Sequence, residues 1–215
     1  VVMWEWVEIG VRWLHVITAV AWVGSSFYFV FLDSSLTAPE DEDLKRQGVS
    51  GELWAVHGGG FYHPVKFAGA PPKLPGHLHW FYWESYTTWL SGVAMLMVVY
   101  WAGSELYLID PAKMDLTTWQ AIAISAGSLA IGWVIYDVLC KSPLGERPTL
   151  LMLLLFAVLV AMSWGYNQIF TGRAALLHLG AFTATIMTAN VAMIIMPNQR
   201  IVVADLKAGR EPAAK

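Results

Sequence analysis

Charge is scarce in this sequence. Of its 215 residues only 13% are Asp, Glu, Lys or Arg, while 57% are hydrophobic. A soluble domain usually carries about 25% charged residues, so too few polar side chains remain to cover a water-facing surface. The same figures exclude a disordered chain. The formal net charge of −3 argues against a nucleic-acid partner. Cysteine occurs once, at Cys140. That excludes an internal disulfide framework, a zinc site built on several cysteines and a C-x-x-C-H haem attachment, so any c-type haem must sit on a partner or on sequence beyond these residues. In place of charge there are 12 Trp, nine Met and eight Tyr. The composition is that of an integral membrane protein.

Crossing about 30 Å of hydrocarbon takes about 20 mostly apolar residues. Five stretches meet that length, at roughly 9–32, 80–102, 117–139, 149–170 and 174–196. They predict an all-α integral membrane helical bundle, a single domain over 1–215, with a His- and Gly-rich loop at 33–79. Helices are expected because only a helix or a closed barrel satisfies its backbone in lipid, and barrel strands are half this long. Trp4, Trp6, Trp80, Trp101 and Trp119 fall at the expected ends, where indole rings prefer the headgroup layer. Pro197-Asn198-Gln199-Arg200 is expected to stop the fifth span. The first span carries Arg12 and His15 and has no small-residue cleavage site behind it, so it reads as retained rather than as a signal peptide. Ten Lys and Arg lie on the side of the 33–79 loop, the 140–148 loop and the tail, against Lys113 and Arg173 opposite. That bias places the N-terminus in the periplasm and the C-terminus in the cytoplasm, in a multi-pass protein of the bacterial inner membrane.

Six histidines are distributed unevenly. His15 and His178 lie inside spans, about 9 Å and about 7.5 Å below the outer surface at 1.5 Å per residue. Two imidazoles on different helices at similar depth suit the two axial positions of a b-type haem, with His15 and His178 as iron ligands. The alternative is that each hydrogen-bonds within the bundle. His57, His63, His77 and His79 crowd the 33–79 loop and the start of the second span. Gly58-Gly59-Gly60 between His57 and His63 gives backbone free to fold closely around a ligand, or else a flexible turn with solvated histidines. Glu84 sits a few residues inside the second span, where a carboxylate needs a partner; His79 or His63 is the expected one.

Other polar groups have plainer readings. Asp137 and Lys141 are spaced for an i,i+4 ion pair. Asn190 is expected to bridge helices, and Glu40-Asp41-Glu42-Asp43 to form a solvated loop tip. Gly180, Ala184, Thr188 and Ala192 make a small-residue stripe that suits close helix packing.

Trp4-Glu5-Trp6, the run Arg12 to Phe29, His57-Gly-Gly-Gly-Phe-Tyr-His63, the run Trp80 to Gly92 and Ala204 to Pro212 together resemble the cytochrome c-coupled urate oxidase family (urate hydroxylase, PuuD type). The resemblance implies a membrane domain of about eight spans with a C-terminal periplasmic cytochrome c, of which these residues would supply five spans. It implies oxidation of urate toward 5-hydroxyisourate with electrons passed to cytochrome c. His57, His63 and Glu84 are then the candidate catalytic groups and His79 and Trp83 the candidate substrate contacts. The His15, Trp22, Gly24 pattern also resembles the first helix of the membrane protoporphyrinogen oxidase family, where such a histidine is associated with haem b. The rival expectation is a non-catalytic membrane subunit of a larger respiratory or photosynthetic complex, which the small-residue stripe would serve. A transporter ranks below both, since no broken helix pair shows in corresponding positions.

Overall fold

A computed structural model describes residues 2–212. The first helix, α1 (Val2–Ser35), buries none of its residues. Its Trp13, Val16, Val20 and Phe27 are each more than half exposed. Apolar surface on that scale has no stable place in water, so lipid is the solvent it is built for. Four helices are long and apolar enough to cross a membrane: Val2–Ser35, Thr118–Lys141 (α5), Pro148–Ile169 (α6) and Gly172–Lys207. The chain is a multi-pass membrane protein.

The stretch expected as the second span is built differently. It runs as α3 (Trp83–Met95) and passes directly into a π-helical turn, Leu96–Trp101. There the Ala102 N–H donates to the Met97 carbonyl five residues back. A single π turn inside a helix is rare and is found most often at functional sites. The buried residues of α3 are Ser85, Thr88 and Ser91, small side chains that let α1 lie close along it. A short helix, α4 (Ser104–Tyr107), follows.

The proline-led stop expected at Pro197 does not end the last span. Helix α7 (Gly172–Asn190) enters a second π turn, Val191–Ile195, and continues as α8 (Met196–Lys207) with Pro197 in its first turn. Proline is tolerated in a first turn, and here that turn directly follows the π turn. Helix α5 starts as its sequence demands. Thr117 and Gln120 form a reciprocal capping box, which satisfies two otherwise orphaned backbone donors. Asp137 and Lys141 form the expected ion pair at 2.7 Å.

The core gathers where the π turn, α5, α6 and α7 meet, around Tyr100, Leu108, Tyr166, Phe170 and Phe182. Phe182 lies over Gly132, where an added Cβ would overlap the ring. Ile109 and Phe170 pair as a β-bridge, and the Thr171 N–H donates to the Leu108 carbonyl at 3.1 Å. The loops after the π turn and after α6 therefore lie together at one end of the bundle.

The 33–79 loop is a folded cap with β structure, a departure from an all-α reading. Asp41 caps a short helix, α2 (Glu42–Arg46), so the acidic run opens a helix instead of forming a bare loop tip. Four strands follow: β1 (Val49–Glu52), β2 (Ala55–His57), β3 (Gly60–Tyr62) and β4 (Val65–Phe67). Glu52 pairs with Val65 and Ala55 with Tyr62, so both ladders share one register and form a single hairpin. The break between them falls opposite Pro64, which has no N–H to give. The tip is Gly58-Gly59 with φ of 59° and 79°, the two positive values that a type I′ turn requires.

Filling the Gly132 site tests the packing. Gly132→Leu should lower stability in detergent by about 1–3 kcal/mol through overpacking, read as a fall in Tm. Gly165→Ala, where an added Cβ meets nothing, should leave Tm unchanged or slightly raised.

Candidate functional site

Three buried side-chain atoms among the described residues have no hydrogen-bond partner: Glu84 Oε2, Tyr100 OH and Thr188 Oγ1. Each belongs to a residue that lines a different hollow: Glu84 one between α1 and α3, Thr188 one between α3 and α7, and Tyr100 one bordered by all three. Orphaned polar atoms are costly in a protein interior, and costlier where lipid excludes water. All three belong to residues that border these hollows.

The Glu84 pocket has a volume of about 160 Å³ and is lined by Trp22, Ser25, Ser26, Phe29, Phe81 and Ser85. Ser25 and Ser85 spend their hydroxyl hydrogens on the carbonyls of Trp22 and Tyr82, so toward the pocket they can only accept. Phe81 is fixed edge-on to Phe29 at 4.8 Å. The result is a small box with aromatic walls, acceptor oxygens and one unpartnered carboxylate oxygen. It suits a flat, N–H-rich ring.

A larger cleft of about 530 Å³ adjoins it, sharing Trp22 and Ser26 as walls. His15, Ala19, Trp22 and Ser26 recur on the lining face of α1 at helical spacing. His15 is held by a polar clasp. His15 Nδ1 and Thr18 Oγ1 both hydrogen-bond Ser91 Oγ, at 3.1 and 2.9 Å. Nε2 of His15 has no hydrogen-bond partner among the described residues. Gly92 makes room for the ring, since a Cβ there would stand 3.0 Å from His15 Cε1.

His178 has the opposite character. It is fully buried and both ring nitrogens are engaged. Nδ1–H donates to the Ala174 carbonyl at 2.8 Å, and Nε2 accepts from Ser125 Oγ at 2.6 Å. Ser125 Oγ in turn accepts from Trp101 Nε1 at 2.9 Å. Phe170 and Tyr166 close around the ring.

The structure does not bring His15 and His178 together. His178 is absent from the cleft that His15 lines, and it has no free nitrogen to give a metal. The cleft also presents no Lys or Arg for haem propionates. The pair therefore does not fit a bis-histidine haem, because similar depth does not put two side chains on facing surfaces. Among the described residues no group of three or more His, Cys, Asp or Glu is placed to hold a metal ion.

The proposed catalytic trio is likewise dispersed. His57 is exposed at the hairpin tip. His63 bonds Glu52 Oε2 through Nε2 at 2.5 Å and stacks on Trp54 at 4.0 Å, so it partners Glu52 and leaves Glu84 without it. His79 is exposed and meets the Phe81 ring edge-on at 4.6 Å, reaching the Glu84 pocket only through that wall. Trp83 points to another hollow, of about 340 Å³, shared with Trp89, Thr188 and Ala192. Helical rotation explains this: neighbouring residues 83 and 84 project about 100° apart. The small-residue stripe borders cavities on the face of α7 where α3 packs, held there by Trp89 Nε1–H donating to Thr185 Oγ1 at 3.2 Å. Gly180 and Ala184 line the large cleft, Thr188 and Ala192 the apolar hollow.

A cap over a helical bundle, with hollows between α1, α3 and α7, defines a multi-pass membrane protein. The family model described as urate oxidase N-terminal matches residues 1–215, and the chain belongs to that family. Comparison with curated proteins and with solved structures gives no match.

Two outcomes follow from the polar chemistry. Glu52 is held below the usual carboxylate range, first by the Glu40 backbone N–H and then by His63. A depressed carboxyl stabilises the cap above its unfolded pKa and loses that contribution as pH falls through the lower folded value. Cap amide protection in hydrogen exchange should hold near neutrality and collapse in strong acid, and Glu52→Gln should flatten that response. His178→Ala strands Ser125 without its acceptor and should cost about 1–3 kcal/mol, seen as a lower Tm.

Proposed function

We propose that this domain oxidises urate toward 5-hydroxyisourate in the Glu84 pocket and that the electrons leave to a cytochrome c. The family supplies the substrate class. The single observation that carries the site is the unpartnered Glu84 Oε2 in a pocket walled by Trp22, Phe29 and Phe81. A purine would stack against those rings, with Ser25 and Ser85 accepting from its N–H groups. Glu84 acts as general base on a ring N–H, a role worth about 10²–10⁴-fold in rate. Urate and one water give 5-hydroxyisourate, two electrons and two protons. His79 acts through Phe81 and holds the wall of the pocket.

The charge count supports a bacterial inner-membrane setting with the N-terminus in the periplasm and the cap in the cytoplasm. Urate then enters from the cap side, while cytochrome c takes electrons on the far side. The family's redox chemistry favours this reading over a non-catalytic subunit, as does the stripe's place beside cavities.

Urate-dependent reduction of cytochrome c by the purified protein tests it. Glu84→Gln keeps the shape of the pocket and removes its basic oxygen, so the turnover rate should fall about 10²–10⁴-fold. Phe81→Ala should chiefly raise KM. An unchanged rate in Glu84→Gln would remove Glu84 from the mechanism.

A further inference from the structure

We infer that the 530 Å³ cleft between α1, α3 and α7 binds the ring of a membrane quinone, with Tyr100 and His15 as its polar contacts. Its volume falls in the range of about 300–1,000 Å³ typical of small-molecule sites. The walls are predominantly apolar, and they are opened by Gly92, Gly180 and Ala184. Beyond Gly180 an added Cβ would meet nothing.

Two atoms define what fits. Tyr100 is 1% exposed, sits in the π turn, and its hydroxyl has no partner. That hydroxyl needs an acceptor oxygen. His15 Nε2, left over when Nδ1 bonds Ser91, meets a second oxygen, as acceptor from a hydroxyl or as donor to a carbonyl according to its tautomer. A flat dione ring carries both oxygens on an apolar body and arrives through lipid. Lys and Arg are absent from the lining, which disfavours nucleotides, anionic headgroups and porphyrin carboxylates.

The chemistry rests on the urate reading above; the binding does not. Urate gives up two electrons, whereas a cytochrome c accepts one. A quinone bridges that mismatch. Urate, water and quinone give 5-hydroxyisourate and quinol, the two protons released by urate and water ending on the ring oxygens. Quinol and two ferricytochromes c then give quinone, two ferrocytochromes c and two protons. The two cavities share Trp22 and Ser26, so the electrons cross a common wall.

The test is a titration of the full chain in lipid nanodiscs with decylubiquinone, without urate, following quenching of tryptophan fluorescence. Trp22 and Trp89 line the cleft. Saturable quenching is expected, weakened about tenfold in Tyr100→Phe and in His15→Ala, as for loss of one hydrogen bond. Gly180→Leu fills the cleft without a clash and should abolish it, and Trp54→Phe in the cap should leave the affinity unchanged. Absence of saturable quenching overturns the inference, as do equal affinities in all variants, which would mean an alkyl chain alone is held. A b-type haem spectrum lost in His15→Ala overturns it too. Quinone binding without urate turnover supports the inference and overturns the proposed function; urate turnover without quinone binding does the reverse.

Discussion

The chain of hydrogen bonds from Trp101 through Ser125 and His178 to the Ala174 carbonyl is the constraint on which the bundle depends. It joins the π turn, α5 and α7 at a depth where water cannot serve as a substitute partner. Each member has one geometry that satisfies it. Trp101 has a single donor, Ser125 accepts from it and passes its own hydrogen on, and His178 completes the path to a carbonyl. The apolar rings of Phe170, Tyr166 and Tyr100 pack around the imidazole. An apolar core alone would hold these helices without fixing their rotation; the chain sets it. Fixing Trp101 also fixes the residue before it, Tyr100, which borders the cleft.

Polar satisfaction divides the molecule. Along the Trp101–Ser125–His178 chain every side-chain donor is spent, which is how a fold is secured in lipid. Along the seam of α1, α3 and α7 the opposite holds: Glu84, Tyr100 and Thr188 each leave an atom unpaired. All three residues line hollows, whereas both ring nitrogens of His178 are paired.

Much of the fold was legible because lipid imposes long apolar runs. Four of the five expected spans correspond to helices of sufficient length, and the α5 cap was written in Thr117 and Gln120. The π turns were not legible, since a single extra residue in a helical turn leaves no mark on hydropathy. Pro197 looked like a stop because its effect depends on whether the preceding turn can widen. The His57 to His63 segment carried a hairpin signal that the histidines obscured: Gly58-Gly59 between short runs rich in β-branched and aromatic residues is a two-residue turn. Of the candidate site, Glu84 and His15 were visible as ionisable groups inside spans. Tyr100, Trp22 and Ser26 were not, because a tyrosine or serine in a span is unremarkable until its neighbours are known. His178 drew attention for the same reason as His15 and proved to be scaffold.

Helix α1 shows how the two kinds of chemistry meet. It buries no residue and rests mainly on α3, its most extensive contact. Its position comes from the clasp of His15, Thr18 and Ser91 and from the close approach that Gly92 permits. Yet α1 supplies a wall to both the Glu84 pocket and the large cleft. A helix held by polar contacts over small residues leaves open volume beside it, which a helix wedged by large side chains would fill. The close approach of α1 to α3 and the existence of the two cavities are thus one feature of the sequence: Gly, Ala, Ser and Thr along the seam let the backbones near each other and leave space beside them.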